Sequence, residues 1–402
     1  MRFEVNRQAM LAAVKNAAKV APSNSPVKEL NGILIECSDD TGEVFLTATN
    51  YEASIQHKVT ASVEESGTML VNSRLLVEML SLLDCEFAAF SADRAEVLQV
   101  KGGKCIYTIN CLPSKSYPKP VLPFPEETVK VSNIVSLAKR TVFAVSKDDS
   151  KPVLQCVNIR LRHNTVNAAA CDGIRLIMVK DLSGTSEKCE YLLPAHSFNM
   201  LAAVSSDEDV FEVGDTGKLI VFVRQDMMFS MRKPVENEYI DTAAVIKSVK
   251  PVYTAATHAH LLKEGLDVIE VGASIEAGRE PVNLIMSDNQ IILRFNSDYS
   301  RVSSGVAANV SKRTPDSGFY YDIRNLLKLL QVIDGRVRIE LDEKGYMLIK
   351  TKNEVYFQLP MKAPVNKTKP VKTVKKLEES NGSDDGEGVT NVKEAKKSKK
   401  AA

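Results

Sequence analysis

One local grammar is written three times along this chain, at intervals of roughly 125 residues, and that repetition limits the fold more than any other feature. The first copy, "FEVNRQAMLAAVKNAAKV", reads as a short strand, a turn at Asn6, and a helix with Met10, Ala13, Val14 and Ala17 on one face. The second, "VKVSNIVSLAKRTVFAVS", offers Ser132 as an N-cap and a stripe of Ile134, Leu137, Ala138, Thr141, Val142 and Val145. The third, "YTAATHAHLLKEGLDVIEV", places Leu262, Leu266 and Ile269 together, with Gly265 in mid-helix.

The remainder of each copy repeats as well. Paired-strand signatures come next ("GILIECSDDTGEVFLTATN", "CVNIRLRHNTVNAAACDG", "VNLIMSDNQIILRFNSD"), then a second helix ("VNSRLLVEMLSLL", "LPAHSFNMLAAVSS", "YDIRNLLKLLQVI"). Alternating strands close each copy: "VLQVKGGKCIYTINCL", "LIVFVRQDMMFSMRK" and "YMLIKTKNEVYFQLPMK". The expected order is β-α-β-β-β-α-β-β-β three times over, an α+β architecture of antiparallel sheets with helices on one side. The period is longer than a solenoid repeat, so each copy is expected to be a domain: 1–125, 126–250 and 251–362. From 363 to 402 the chain is Lys, Glu, Ser, Gly and Asp with almost no large apolar residue, and it is expected to be disordered.

Charge narrows the function. The net charge is +1, but residues 363–402 carry ten Lys against six acidic residues, or +4, which leaves the body at −3. Such a body does not grip nucleic acid by bulk charge, though local basic strips remain open to it. Seven scattered cysteines without a C-x-x-C pair suit reduced thiols and a cytoplasmic setting. No apolar run approaches a membrane span and the N-terminus lacks a signal peptide's apolar core, so no membrane association is expected. The five histidines (57, 163, 196, 258, 260) fall in unlike contexts, and no phosphate loop is present, so neither a metal nor a cofactor is expected.

One stretch resists a single reading. In "AACDGIRLIMVK", Asp172-Gly173 between β-prone runs is a hairpin signal. The same residues could be a hydrolase loop with Cys171 as nucleophile and Asp172 as base, or the rim of a protein-binding pocket.

Several segments in order resemble the bacterial DNA polymerase III beta subunit, the sliding clamp. They are the first thirty-six residues, "LTATNYEASI", "KCIYTINCLPSKSYP", "FAVSKDDSKPVLQCVNIRL", "CDGIRL" and "FQLPMK", set on a threefold repeat. The resemblance implies a non-catalytic, head-to-tail homodimeric ring around duplex DNA, helices inside and sheets outside, which tethers the polymerase catalytic subunit and meets the clamp loader through short peptides. Helix faces opposite the apolar stripes should then be basic, which selects Lys15, Lys19, Arg74, Lys139, Arg140, Lys147, Arg324 and Lys328 as phosphate contacts. The first helix of the third copy dissents, with Glu264 and Asp267 on that face.

In the family, the loop resembling "CDGIRL" walls a pocket for partner peptides. By position the pocket would use Leu154, Cys171, Gly173, Arg175, Leu176 and Val245, with Leu359, Pro360 and Met361 from the third copy. Arg175 would fix a peptide carbonyl or carboxylate. The dimer seam would join the edge strand around Tyr107 and Ile109 to the helix end around Val271 and Ile275.

Two departures stand out. Ile174 replaces a frequent His, and the linker has Ile240, Thr242 and Ala244 where the family usually has Pro, an aromatic and Arg. Family clamps also usually stop shortly after the segment resembling "LPMK", whereas here a basic tail of about forty residues follows, expected to modulate access to the pocket or add weak attraction to DNA. The competing function is a divergent clamp-like scaffold that binds proteins without encircling DNA.

Overall fold

The computed structural model describes residues 1–94, 96–182, 187–235, 238–274 and 281–364. The 363–402 tail thus lies outside the described residues apart from its first two positions, and so does Ile275.

Each copy opens on a strand that runs straight into a helix: Arg2–Asn6 into α1 (Arg7–Val20), Val129–Val131 into α3 (Ile134–Thr141), and Tyr253–His258 into α6 (Ala259–Ala273). The second helices are α2 (Ser73–Leu82), α4 (Ala195–Ala203) and α7 (Ile323–Leu330), and a short α5 (Thr242–Ser248) sits in the linker to the third copy. Asn6 caps α1 as expected, its side chain accepting from the amides of Gln8 and Ala9. At α3 the sequence expectation fails. Asn133, in left-handed conformation, precedes the helix without a side-chain cap, and the helix stops at Thr141, short of the Val145 that the stripe predicted.

Between its two helices each copy has a strand that was not expected, and the third has a further two-residue strand, Asn309–Val310. The additions common to all three are Gly67–Asn72, Cys189–Pro194 and Phe319–Asp322, each ending where the second helix begins. Asn72 and Asp322 close the strand and cap the helix with the same residue, so no turn signal separates the two elements.

Gly265 is explained by packing rather than by a weak helix. A Cβ there would lie 2.4 Å from Val306, so the glycine lets α6 press onto strand Arg301–Ala307. The stripes of all three copies are buried in one continuous apolar core.

Neighbouring copies are joined by one rule. The fourth strand of a copy pairs antiparallel with the last strand of the next: Ala53–Glu65 with Met227–Arg232, and Arg175–Leu182 with Glu354–Gln358. Two strands of the same kind remain at sheet edges, Arg301–Ala307 of the third copy and Cys105–Asn110 of the first.

Candidate functional site

The turn after Thr165–Cys171 shows what "CDGIRL" does. Asp172 Oδ1 accepts from the amides of Ile174 and Arg175 at 2.9 and 2.8 Å, and Gly173 sits at φ +88°, open to solvent on its Cβ side. This is an Asx-type hairpin turn. The hydrolase reading fails here. Asp172 Oδ2 accepts from Arg175 Nε at 2.9 Å, and burial pushes the Cys171 thiol up, away from the thiolate a nucleophile needs.

The turn also gathers an apolar cluster separate from the main core. Cys171, Leu176, Val249, Leu348 and Phe357 are its floor, and Leu154, Val245, Ile240, Ile246, Met178, Tyr346, Val355 and Leu359 surround it half-buried. Five of the residues expected at the pocket (Leu154, Cys171, Leu176, Val245, Leu359) thus converge on a partly open apolar surface. Pro360 and Met361 are half-buried beyond it, and the Met361 amide is held by the Tyr320 carbonyl at 2.7 Å. Leu359 is fastened to the turn by its amide, which donates to the Ile174 carbonyl at 2.9 Å. The linker enters as α5, capped by Asp241, and Ile240 packs on the cluster.

Arg175 does not offer its charge to a ligand. Its guanidinium is buried, donating to Asp172, to Asn325 Oδ1 on α7 at 2.8 Å, and to the Phe143 carbonyl at 2.6 Å, and it lies over the Phe143 ring. It fixes the wall of the cluster instead of binding a peptide carboxylate.

A smaller separate cluster of Leu34, Leu70 and Tyr117 with Leu112 lies in the first copy, but it is not built around this turn, and the registers say why. Cys171 pairs with Leu176 across the turn, while Thr49 pairs with Ser54 at the same position of the first copy and Asn296 with Arg301 in the third. Thr49 and Ser54 are buried and bond to each other at 2.8 Å, so that junction presents hydroxyls where the other presents a thiol and a leucine.

The basic candidates divide. Lys147, Arg324 and Lys328 come together across the second and third copies: burial, then the nearby cations Arg175, Lys147 and Arg324, hold the Lys328 ammonium below its usual value. Lys15 and Lys139 are exposed on α1 and α3. Lys19 reaches across to the second copy, its ammonium donating to the carbonyl of Ala203 at the end of α4, a favourable place for a cation. Arg74 pairs with Glu78 at 2.8 Å on the exposed face of α2. Arg140 is a correction. Its side chain is 12% exposed and is neutralised by Asp181 and by Glu354 at 3.0 Å, so it ties α3 to the two joined strands rather than facing outward. Periodicity cannot separate these cases, because partners such as Glu354 lie 214 residues away.

At the two free edges, Ile109 is 5% exposed and belongs to the core, while Tyr107 packs partly against it. The exposed aliphatic residue of that strand is Ile106, at 65% exposure. On α6, Val268 and Val271 are exposed, Val271 to 74%; on α2, Leu75 and Leu82 are exposed, Leu82 to 75%. Sequence reasoning missed Ile106, Leu75, Leu82 and Val268, because an exposed aliphatic residue carries no signal until its edge is known.

Among the described residues, no helix is long and apolar enough to cross a membrane, and no group of three or more His, Cys, Asp or Glu could hold a metal.

Residues 1–123 match the family profile described as DNA polymerase III beta subunit, N-terminal domain, and residues 128–239 that of its central domain. The beta sliding clamp of Streptomyces coelicolor is 27% identical over 326 residues, 74% of this chain and 86% of that protein. The beta sliding clamp of Bacillus subtilis is 22% identical over 375 residues, 88% of this chain and 97% of that one. The crystal structure of the DNA polymerase III beta subunit from Thermotoga maritima superposes with a TM-score of 0.81 at 20% identity, covering 90% of this chain and all of that one.

Proposed function

Because the chain belongs to the DNA polymerase III beta subunit family, the non-catalytic sliding clamps, we propose that it acts as a closed ring of two copies around duplex DNA. The observation that carries the ring is the unfinished pairing rule. Two junctions inside the chain join a fourth strand to a last strand, and one strand of each kind, paired on its inner side alone, keeps an unpaired outer edge among the described residues. A second copy placed head to tail would pair Arg301–Ala307 with Cys105–Asn110 twice, turning three repeats into six and leaving no free edge of this type.

This reading shifts the expected seam. The natural partner of the Cys105–Asn110 edge is a strand edge rather than the helix end, and α6 would flank it through Val268 and Val271 against Leu75 and Leu82 on α2 of the second copy. Ile109 would contribute through its backbone. The three copies are taken as the domains 1–125, 126–250 and 251–362.

Lys15, Lys19, Lys139, Lys147, Arg324 and Lys328 are the residues we assign to phosphate, with Arg74 in part and Arg140 withdrawn. Contacts of this kind hold without reading sequence, which suits a ring that slides. The cluster around Cys171 and Leu176 is assigned to short apolar peptides of replication partners, the polymerase catalytic subunit and the clamp loader among them. Burying two or three large side chains gives roughly 1.5–3 kcal/mol each, and ordering and association remove several kcal/mol. The balance is binding of roughly micromolar strength, which lets partners exchange.

Light scattering tests the ring directly. The expected mass is twice 44.2 kDa, persisting on dilution. A monomer at all concentrations would refute the closed ring and favour a scaffold that binds proteins alone.

A further inference from the structure

We propose that the peptide pocket continues into a basic cleft on the outer face of the same sheet, and that this cleft takes an acidic flank of the peptide anchored in the pocket. The inference rests on the pocket reading and names the chemistry of its partner.

The two surfaces share a strand. Leu348 belongs to the pocket cluster, and Lys350, two residues on in strand Met347–Lys350, projects from the same face. Lys350 pairs across the sheet with Arg338, Arg338 in turn with Ala256, and Arg336 with His258. Arg336, Arg338, Lys350 and His258 line a cleft of about 530 Å³.

Its charge is not balanced within the protein. Arg338 and Lys350 stand directly opposite each other and share one carboxylate, the buried Glu340, at 3.0 and 2.7 Å. Facing like charges in a sheet are unfavourable unless neutralised. Arg336 makes no hydrogen bond or ion pair among the described residues. A carboxylate from outside would supply the missing counter-charge, and guanidinium groups bind carboxylates with paired hydrogen bonds.

The spacing suits one continuous ligand. Phe357 stands in register with Leu348 and Glu340, so Arg336 lies two strands across and four residues along from it, roughly 17 Å, which about five residues of extended peptide would span. The arginines project opposite to Val337 and Ile339, which are buried in the core that the helices cover. Leu261 of α6 borders one end of the cleft, but the basic side chains project from the face opposite the helices that carry the lysines assigned to DNA, which favours a peptide over a nucleic acid.

The test uses the full chain and a fluorescein-labelled peptide with two leucines and one phenylalanine, alone or with four glutamates at either end. Glutamates at one end should tighten binding at least fivefold at low salt, with the gain disappearing in Arg336→Ala, returning in Arg336→Lys and fading at high salt. The unextended peptide should bind the wild type and Arg336→Ala equally. An extended peptide no tighter than the plain one, or a gain that survives Arg336→Ala, overturns the cleft and leaves the pocket standing. A plain peptide that fails to bind overturns the pocket reading and the cleft with it. Weaker binding of a short DNA duplex by Arg336→Ala, with no effect on either peptide, reassigns the cleft to nucleic acid.

Discussion

Arg175 donates a 2.8 Å hydrogen bond to Asn325, 150 residues further along the chain, and so pins the hairpin turn of the second copy to α7 of the third. The same guanidinium holds Asp172 and the Phe143 carbonyl, which makes one buried cation the common anchor of turn, helix and loop. A residue that looked like a ligand contact is therefore a positioning residue for the wall of the apolar cluster.

Arg175→Ala should leave Asp172 and Asn325 without their partner and lower the urea midpoint by the equivalent of about 3 kcal/mol, as for other broken buried ion pairs. Arg175→Lys should recover little, because an ammonium cannot serve three acceptors in one plane. An unchanged midpoint in Arg175→Ala would show that the junction is held elsewhere.

His57 makes stability depend on pH. It is buried where the first copy meets the second, with Asn16 Nδ2 at 3.3 Å from its Nε2 and Asp226 at 3.9 Å from its Nδ1. Burial holds the imidazole down at about 4, against the pull of Asp226. An unfolded histidine titrates near 6.5, so between the two values the unfolded chain binds a proton that the folded chain refuses. The stability of the neutral ring is complete above pH 6.5 and is lost as pH falls toward 4, by up to about 3 kcal/mol. Urea unfolding at pH 7 and pH 5 should show this loss in the wild type and a smaller one in His57→Gln. Equal losses in both proteins would acquit His57.

The seam should be sensitive to charge at its apolar residues. Val271→Glu or Ile106→Glu should halve the mass seen by light scattering while the far-UV circular dichroism stays unchanged, since both side chains are exposed in the single chain. A dimer surviving both changes would move the interface away from these edges.

Phosphate contact has a salt signature. For duplex DNA the slope of log affinity against log salt falls by about 0.9 per contact removed. Replacing Lys147, Arg324 and Lys328 with alanine should therefore reduce the slope by about 2 to 3 on a short linear duplex, whereas Arg140→Ala should leave it unchanged and instead lower stability, because Arg140 is held by Asp181 and Glu354. A slope insensitive to the triple change would remove that cluster from the interface.

Much of the fold was legible because the apolar stripes repeat. Met10, Val14 and Ala17, Ile134 and Leu137, and Leu262, Leu266 and Ile269 are all buried where helical spacing put them. The strand before each second helix was not, since Asn72 and Asp322 end the strand and cap the helix at once. In the candidate site, Leu154, Cys171, Leu176, Val245 and Leu359 were found through family resemblance, and the cluster unites them. What sequence could not tell apart was a lysine facing solvent from an arginine spent on a distant carboxylate. Lys139 and Arg140 are neighbours in one helix, yet only Arg140 meets Glu354, through a pairing of strands that no local pattern encodes.

Retention on circular DNA is the sharpest test of topological closure. The clamp would be placed on nicked circular duplex with a loader, separated from free protein by gel filtration, and the DNA then linearised. A ring made by pairing Arg301–Ala307 with Cys105–Asn110 of a second copy should stay on the circle and run off the linear ends. Equal retention on circular and linear DNA, or none on either, would contradict the ring.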